Sequence, residues 1–284
     1  MENALMISGL TKTWKDFTLD NVSFNVPRGA VVGLIGENGA GKSTTINTVL
    51  GLIQKEAGQV FILGKEELDG GTKEQLGVVF DGSNYPEILS PRKINRVMKS
   101  IYRSWDEETY FRLLTRFSLP VDRQIRQFSK GMKMKLAICA AFSHHSELLI
   151  LDEATSGLDP VVRDDILDML LDFVQNEEHS ILMSSHITGD LERVADYITY
   201  IRYGELFFSG GKDEFIDSFQ IVKGGHGELP ADLSAKAFGI REFTTGFEAL
   251  IRTQDQKQFA HLSAEPATID DIVVFTNKIG GQHE

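Results

Sequence analysis

The run Gly36-Glu37-Asn38-Gly39-Ala40-Gly41-Lys42-Ser43-Thr44 fits the spacing G-x-x-x-x-G-K-[ST] at every fixed position. An apolar strand, Val31 to Ile35, precedes it and a helix follows, which is the context that spacing requires. Glycines let backbone amides turn inward and wrap phosphate oxygens, and the helix N-terminus adds the positive end of its dipole. Lys42 is placed to hold β- and γ-phosphates, and the Ser43 hydroxyl to bind Mg²⁺. The chemistry is that of a nucleoside triphosphate. A second cluster closes the apolar run Leu148 to Leu151 with two carboxylates, Asp152 and Glu153. There Asp152 would orient a Mg²⁺ ion and Glu153 would polarise an attacking water. Taken alone, that pair reads equally well as a solvated acidic turn after a core strand.

Three more signals stand in order around it. Ser156-Gly157-Leu158-Asp159 follows directly, His186 ends the apolar strand Ile181 to Ser185, and Phe128-Ser129-Lys130-Gly131-Met132 opens a helix upstream. This ordered set resembles the ATPase subunits of ABC transporters, across roughly residues 4–215, and the Ser-Lys-Gly-Met loop is similar to that of bacterial exporter-type members. The resemblance implies an α/β, P-loop NTPase domain of ABC type, with a mixed β core and an inserted helical subdomain. It implies an ATP-hydrolysing subunit that dimerises on ATP and drives transport through a separate membrane permease. Each ATP would lie between the phosphate loop of one copy and Ser129 and Gly131 of a second, identical or closely related copy. His186 would contact the γ-phosphate, Asp159 would couple the two sites, and Trp14 would stack on adenine, with Phe17 as the alternative. Implied catalytic residues are thus Lys42, Glu153 and His186, and implied metal ligands Ser43, Asp152 and Asp81.

Two departures from the family pattern stand out. Asp81 occupies a position where glutamine is usual and cannot donate a hydrogen bond when ionised. Lys130 and Met132 replace the commoner glycine and glutamine of the signature loop. Rival readings are a soluble ABC ATPase of translation or DNA, a P-loop kinase and a non-hydrolysing regulator. A single phosphate loop, the short stretch between Lys42 and Asp152, the signature loop, and the presence of Glu153 and His186 count against them.

The elements that must position these residues follow from periodicity and turn signals. Asp20 to Val26 alternates as a half-buried strand, and Pro27-Arg28-Gly29 turns the chain. A helix is expected from Lys42 to Leu50, with Gly51 as its C-terminal cap. Val60 to Leu63 and Val78 to Phe80 read as short strands. Ser90-Pro91 opens a helical block that runs to about Phe142, with a break near Pro120. Strand and helix then alternate: Leu148–Leu151, Pro160–Val174, Ile181–Ser184, Thr188–Val194, Tyr197–Arg202 and Leu206–Phe208. The expected division is 1–216 for the ATPase domain, with the helical insert near 88–143, and 217–284 for a small α+β accessory region ending in a helix near Thr268–Thr276. The segment Asp81 to Arg92 is expected to line a groove for a permease helix.

Composition excludes several other classes. The chain has 284 residues, 42% of them hydrophobic, and a formal net charge of −12, which gives no footprint for nucleic acid. Its single cysteine, Cys139, leaves no internal disulfide and no cysteine-built metal site. No window approaches the roughly 20 apolar residues of a membrane span. No secretory leader is visible. The expected location is therefore the cytoplasm, held at the inner face of the membrane by a partner.

Overall fold

The computed structural model describes residues 2–66, 68–81 and 85–278. The chain forms two compact units, Met1–Ser209 and Gly210–Glu284.

The first unit holds two sheets. Strands β1 (Asn3–Trp14), β2 (Phe17–Pro27) and β4 (Ala57–Ile62) form an antiparallel sheet in the order β2-β1-β4. Strands β3 (Val31–Ile35), β5 (Leu76–Val79), β6 (Leu148–Asp152), β7 (Ser180–Ser184), β8 (Tyr197–Arg202) and β9 (Glu205–Gly211) form a six-stranded sheet in the order β5-β6-β7-β3-β8-β9. Its strands from β5 to β8 pair in parallel. A parallel sheet must be covered on both faces, and β3, β6 and β7 are buried at every residue. Helix α1 (Lys42–Val49) follows β3. Its Ile46 and Val49 enter the core with Leu5, Leu10 and Val22 of the antiparallel sheet and Leu34, Ile150 and Leu182 of the parallel one. The parallel pairing also brings the carboxyl ends of β3, β5, β6 and β7 to one edge, with Leu34 in register with Ser184 and Ser184 with Asp152.

The remaining helices of this unit are α2 (Gly70–Glu74), α3 (Pro91–Ile101), α4 (Glu107–Arg116), α5 (Lys130–Phe142), α6 (Pro160–Phe173) and α7 (Thr188–Val194). The α2 turn was not anticipated. Asp69 caps it by accepting from Thr72 N at 2.6 Å, a local signal hidden by the glycines that follow. Between β5 and β6 the chain packs α3, α4 and α5 around a separate core of Ile94, Tyr110, Leu114, Ile125, Leu136 and Cys139. The long helical block is thus three helices. The break expected near Pro120 lies after α4, where Ser118 takes a left-handed φ of 52°. Burial raises the Cys139 thiol to a pKa of about 12, so it sits in this core as an inert apolar side chain.

The second unit contains α8 (Lys212–Asp217), β10 (Phe219–Gly225), β11 (Gly239–Phe243), β12 (Gly246–Arg252), β13 (Ser263–Pro266) and α9 (Ile269–Lys278). The units part before α8, whereas the boundary read from composition lay at its end. The reason is that buried Phe215 of α8 packs edge-on against Phe219 of β10, with ring centroids 5.8 Å apart. The strands form an antiparallel sheet in the order β11-β12-β10-β13. That is the order of a split β-α-β motif in which short 3₁₀ turns, Leu233–Ala235 and Thr253–Phe259, replace the crossover helices. Val222, Phe247, Ala249, Ile251, Phe259 and Leu262 build its core.

Candidate functional site

The phosphate-loop backbone is shaped by two glycines. Gly41, the cap of α1, has φ 116°, and a Cβ there would lie 3.0 Å from both Leu19 and Phe17. At Gly36 a Cβ would sit 2.4 Å from the carbonyl oxygen of Ile201. Only glycine lets the loop lie this close to its neighbours. The loop borders a cavity of about 480 Å³ lined by Asp16, Phe17, Asn38, Gly39, Lys42 and Ser43, with Glu37, Gly41, Thr44 and Glu153 completing the wall. Ala40 is buried behind it.

Lys42 is 5% exposed, and its Nζ donates to the carbonyl oxygens of Gly36 at 2.8 Å and Glu37 at 3.2 Å. It also lies 3.3 Å from Glu153 Oε1. A buried ammonium needs an anion beside it, and this carboxylate is that anion. Glu153 in turn accepts from His186 Nδ1 at 2.5 Å. A carboxylate can only accept, so Nδ1 carries the proton and Nε2 is the atom free to face a ligand. Glu153 stands in the left-handed region with φ 53°, a conformation uncommon outside glycine that is found where function over-determines the backbone. Its amide donates to Ser184 Oγ at 3.0 Å, and that hydroxyl donates to Asp152 Oδ1 at 2.6 Å. Ser184, overlooked in the sequence, thus orients both members of the acidic pair. Its only signal was a hydroxyl at the end of a buried apolar strand.

Ser129 caps α5 by accepting from Met132 N at 3.2 Å, and Asp159 caps α6 by accepting from Val162 N at 3.0 Å. Gly131 lies against Val162 of α6, where a Cβ would stand 2.9 Å from Val162 Cγ1. None of these three lines the phosphate-loop cavity of their own chain. Trp14 is 39% exposed at the end of β1, with Lys12 Nζ 5.4 Å from its ring, and Phe17 is the aromatic on the cavity wall. Asp81, expected beside the metal, is not on that wall. Its carboxylate is drawn instead to Lys130, 2.8 Å away.

A triphosphate-binding loop at the carboxyl edge of a parallel sheet, faced by an acid, a histidine and a lysine, defines a P-loop nucleotide-binding protein. A family model described as ABC transporter matches residues 19–156. The lantibiotic transport ATP-binding protein SrtF of Streptococcus pyogenes is 34% identical over 205 residues, 71% of this chain and 88% of that one. The bacitracin transport ATP-binding protein BcrA of Bacillus licheniformis is 31% identical over 213 residues, 72% of this chain and 69% of that one. A solved structure of an ATP-binding subunit of an ABC transporter has 31% identity and a TM-score of 0.65, covering 74% of this chain and 91% of its own. The cbiO1 subunit from Clostridium perfringens, at 22% identity and a TM-score of 0.64, shares the fold. This chain belongs to the ATP-binding subunits of ABC transporters and is an ATPase of that family. Among the described residues no helix is long and apolar enough to cross a membrane.

Proposed function

We propose that this subunit hydrolyses ATP at Glu153, in a site completed by Ser129 and Gly131 of a second copy, and so powers export through a membrane permease. The observation that carries the reading is the chain of contacts from Lys42 through Glu153 to His186 on the wall of the phosphate-loop cavity. ATP brings its own anion to Lys42, which can then leave Glu153 for the β- and γ-phosphates. Freed from the lysine, the Glu153 carboxylate takes a proton from the attacking water. His186 keeps that carboxylate aimed through Nδ1–H and, when its ring carries the second proton, donates Nε2–H to the γ-phosphate. The amides of Gly39, Ala40, Gly41, Lys42, Ser43 and Thr44, at and before the start of α1, suit the phosphate oxygens. Asn38 and Gly36 complete the loop.

The donor chemistry also suits Mg²⁺, a hard cation that prefers oxygen. Ser43 supplies an exposed hydroxyl at the head of α1, and Asp152 a carboxylate already oriented by Ser184. These two residues would hold the ion, which neutralises phosphate charge when bound. Asp81 is the third candidate ligand only where it leaves Lys130. Trp14 and Phe17 lie 6.2 Å apart between ring centroids; we assign the adenine face to the pair, with Phe17 inward.

Ser129 and Gly131 lie away from the cavity of their own chain, which supports their serving a second copy, with Asp159 at the same junction. Transport of a lantibiotic and of bacitracin by the named relatives supports export, and the lack of a spanning helix among the described residues supports a peripheral place on the cytoplasmic face. The Asp81–Arg92 segment is the face we assign to the permease; residues 82–84 lie outside the described residues, and Tyr85 and Leu89 pack against the α3–α5 core. The deciding experiment is Glu153→Gln in the full chain. Turnover should fall by about 10²–10⁴ while ATP still binds and holds a dimer. Hydrolysis at the wild-type rate would remove Glu153 from the base role and this mechanism with it.

A further inference from the structure

The two departures from the family pattern meet in space. Lys130 Nζ lies 2.8 Å from Asp81 Oδ1, although one residue opens α5 and the other follows β5. A lysine in the first turn of a helix faces the positive end of the helix dipole and is disfavoured there. Helix α5 begins Lys130-Gly131-Met132-Lys133, with no acidic residue in its first turn. The compensating charge comes from elsewhere. Asp81 meets Lys130, and Glu87 meets Lys133 at 2.7 Å, which holds the Glu87 carboxyl below its usual pKa. The backbone runs alongside as well: Arg126 N donates to Glu87 O at 3.0 Å, and Ile125 N to Leu89 O at 2.9 Å. Lys130 Nζ also lies 3.3 Å from where a Cβ on Gly157 would stand, so the ammonium sits between Asp81 after β5 and the loop after Glu153.

We infer that Asp81 is a positioning residue that acts through Lys130: the ion pair sets the start of α5, and with it Ser129 and Gly131, in the orientation from which they reach nucleotide on a second copy. The usual glutamine and glycine of the family are thus replaced here by one linked acid–base pair. Lys130 and Asp81 are 42% and 51% exposed, so the pair contributes little to overall stability. Its effect is local and reversible, which suits a contact that is made and released as nucleotide comes and goes. This inference rests on the proposed ATPase reading for its consequence, but the contact itself is testable without nucleotide.

The test is a double-mutant cycle of Asp81→Lys, Lys130→Asp and the two together, in the full chain. The first readout is amide hydrogen exchange at Met132 and Lys133 in nucleotide-free protein. Asp81→Lys sets two like charges side by side at the start of α5 and should speed exchange about twofold to fivefold, the range of an exposed pair, and adding Lys130→Asp should restore it. The second readout is steady-state hydrolysis. Each single change should lower the maximal rate with little change in KM for ATP, and the swap should recover most of it. A swap no better than the worse single variant would overturn the inference. So would Asp81→Ala if it raised the Mg²⁺ concentration needed for half-maximal rate while leaving exchange at Met132 unchanged, because Asp81 would then be a metal ligand. Loss of the ATPase reading shows separately, as a wild-type chain that does not hydrolyse ATP, and exchange alone would then judge the pair.

Discussion

In the first unit, β3, β5, β6 and β7 run parallel, and each leaves the sheet at the same edge. Whatever follows those strands is gathered there: the loop at Gly36, Asp81, the pair Asp152 and Glu153, and His186. In the second unit, every pair of neighbouring strands in the order β11-β12-β10-β13 is antiparallel, so the ends of adjacent strands fall on opposite edges. Its charged residues answer one another in small local sets, Lys223 with Glu248 and Glu265, and Lys236 with Asp255. The difference teaches that pairing direction, more than composition, decides whether polar side chains accumulate. A parallel sheet places its chemistry on one rim, and an antiparallel sheet distributes it over two.

The contrast can be broken most forcefully in the core of the second unit. Phe247→Ala removes a ring buried among Val222, Ile251 and Leu262 and should destabilise that unit by about 3–5 kcal/mol. Denaturant unfolding would measure the loss, and ATP affinity should stay within twofold of wild type. A parallel fall in affinity would mean that the second unit contributes to the nucleotide site. Next in size, Lys42→Ala should weaken ATP binding by about tenfold to a hundredfold, as expected for a lost hydrogen bond from a charged group, while amide exchange across β10 to β13 stays unchanged.

The smallest effect concerns His144, after α5 in the first unit. Its ring stacks on Tyr102 at 4.1 Å, and its Nδ1 donates to Glu74 O at 3.0 Å. Burial pushes its pKa below the ordinary 6.5, against the smaller opposing effect of that hydrogen bond. Above pH 6.5 the ring is neutral in both states and its stability contribution is complete. As pH falls, the unfolded chain takes up the proton first, so the first unit loses stability toward the lowered folded pKa. Melting at pH 5.5 and 7.5 should show this loss, and His144→Gln should flatten it. An unchanged slope in the variant would place the acid sensitivity elsewhere.

Much of the first unit was legible because its signals are local. The strand, loop and helix around Lys42 lie within one short run, and Ser129 stands in a run that reads as the opening of a helix. Less was legible where partners are distant. Asp69 capping α2 was masked by two glycines, and Ser184 looked like one more residue of an apolar strand until the sheet set it beside Asp152. The resemblance implied a metal-ligand role for Asp81, and its ion pair with Lys130 at the start of α5 joins residues that no local pattern links. The second unit was read as α+β, but its strand order depends on pairings such as Ile221 with Glu265 that no local pattern announces.

By itself, the sequence determined the inventory: a phosphate loop, an acidic strand end, a helix-capping serine, a histidine after an apolar strand, and the family they mark. Those features are set by short-range conformational preference, which spacing along the chain encodes. The tertiary structure alone decided that Lys42 and Glu153 share a salt bridge, that Glu153 meets His186, and that Asp81 faces Lys130. Each contact joins residues from different elements, and which side chains meet is fixed only when strands choose their neighbours and the core closes around them.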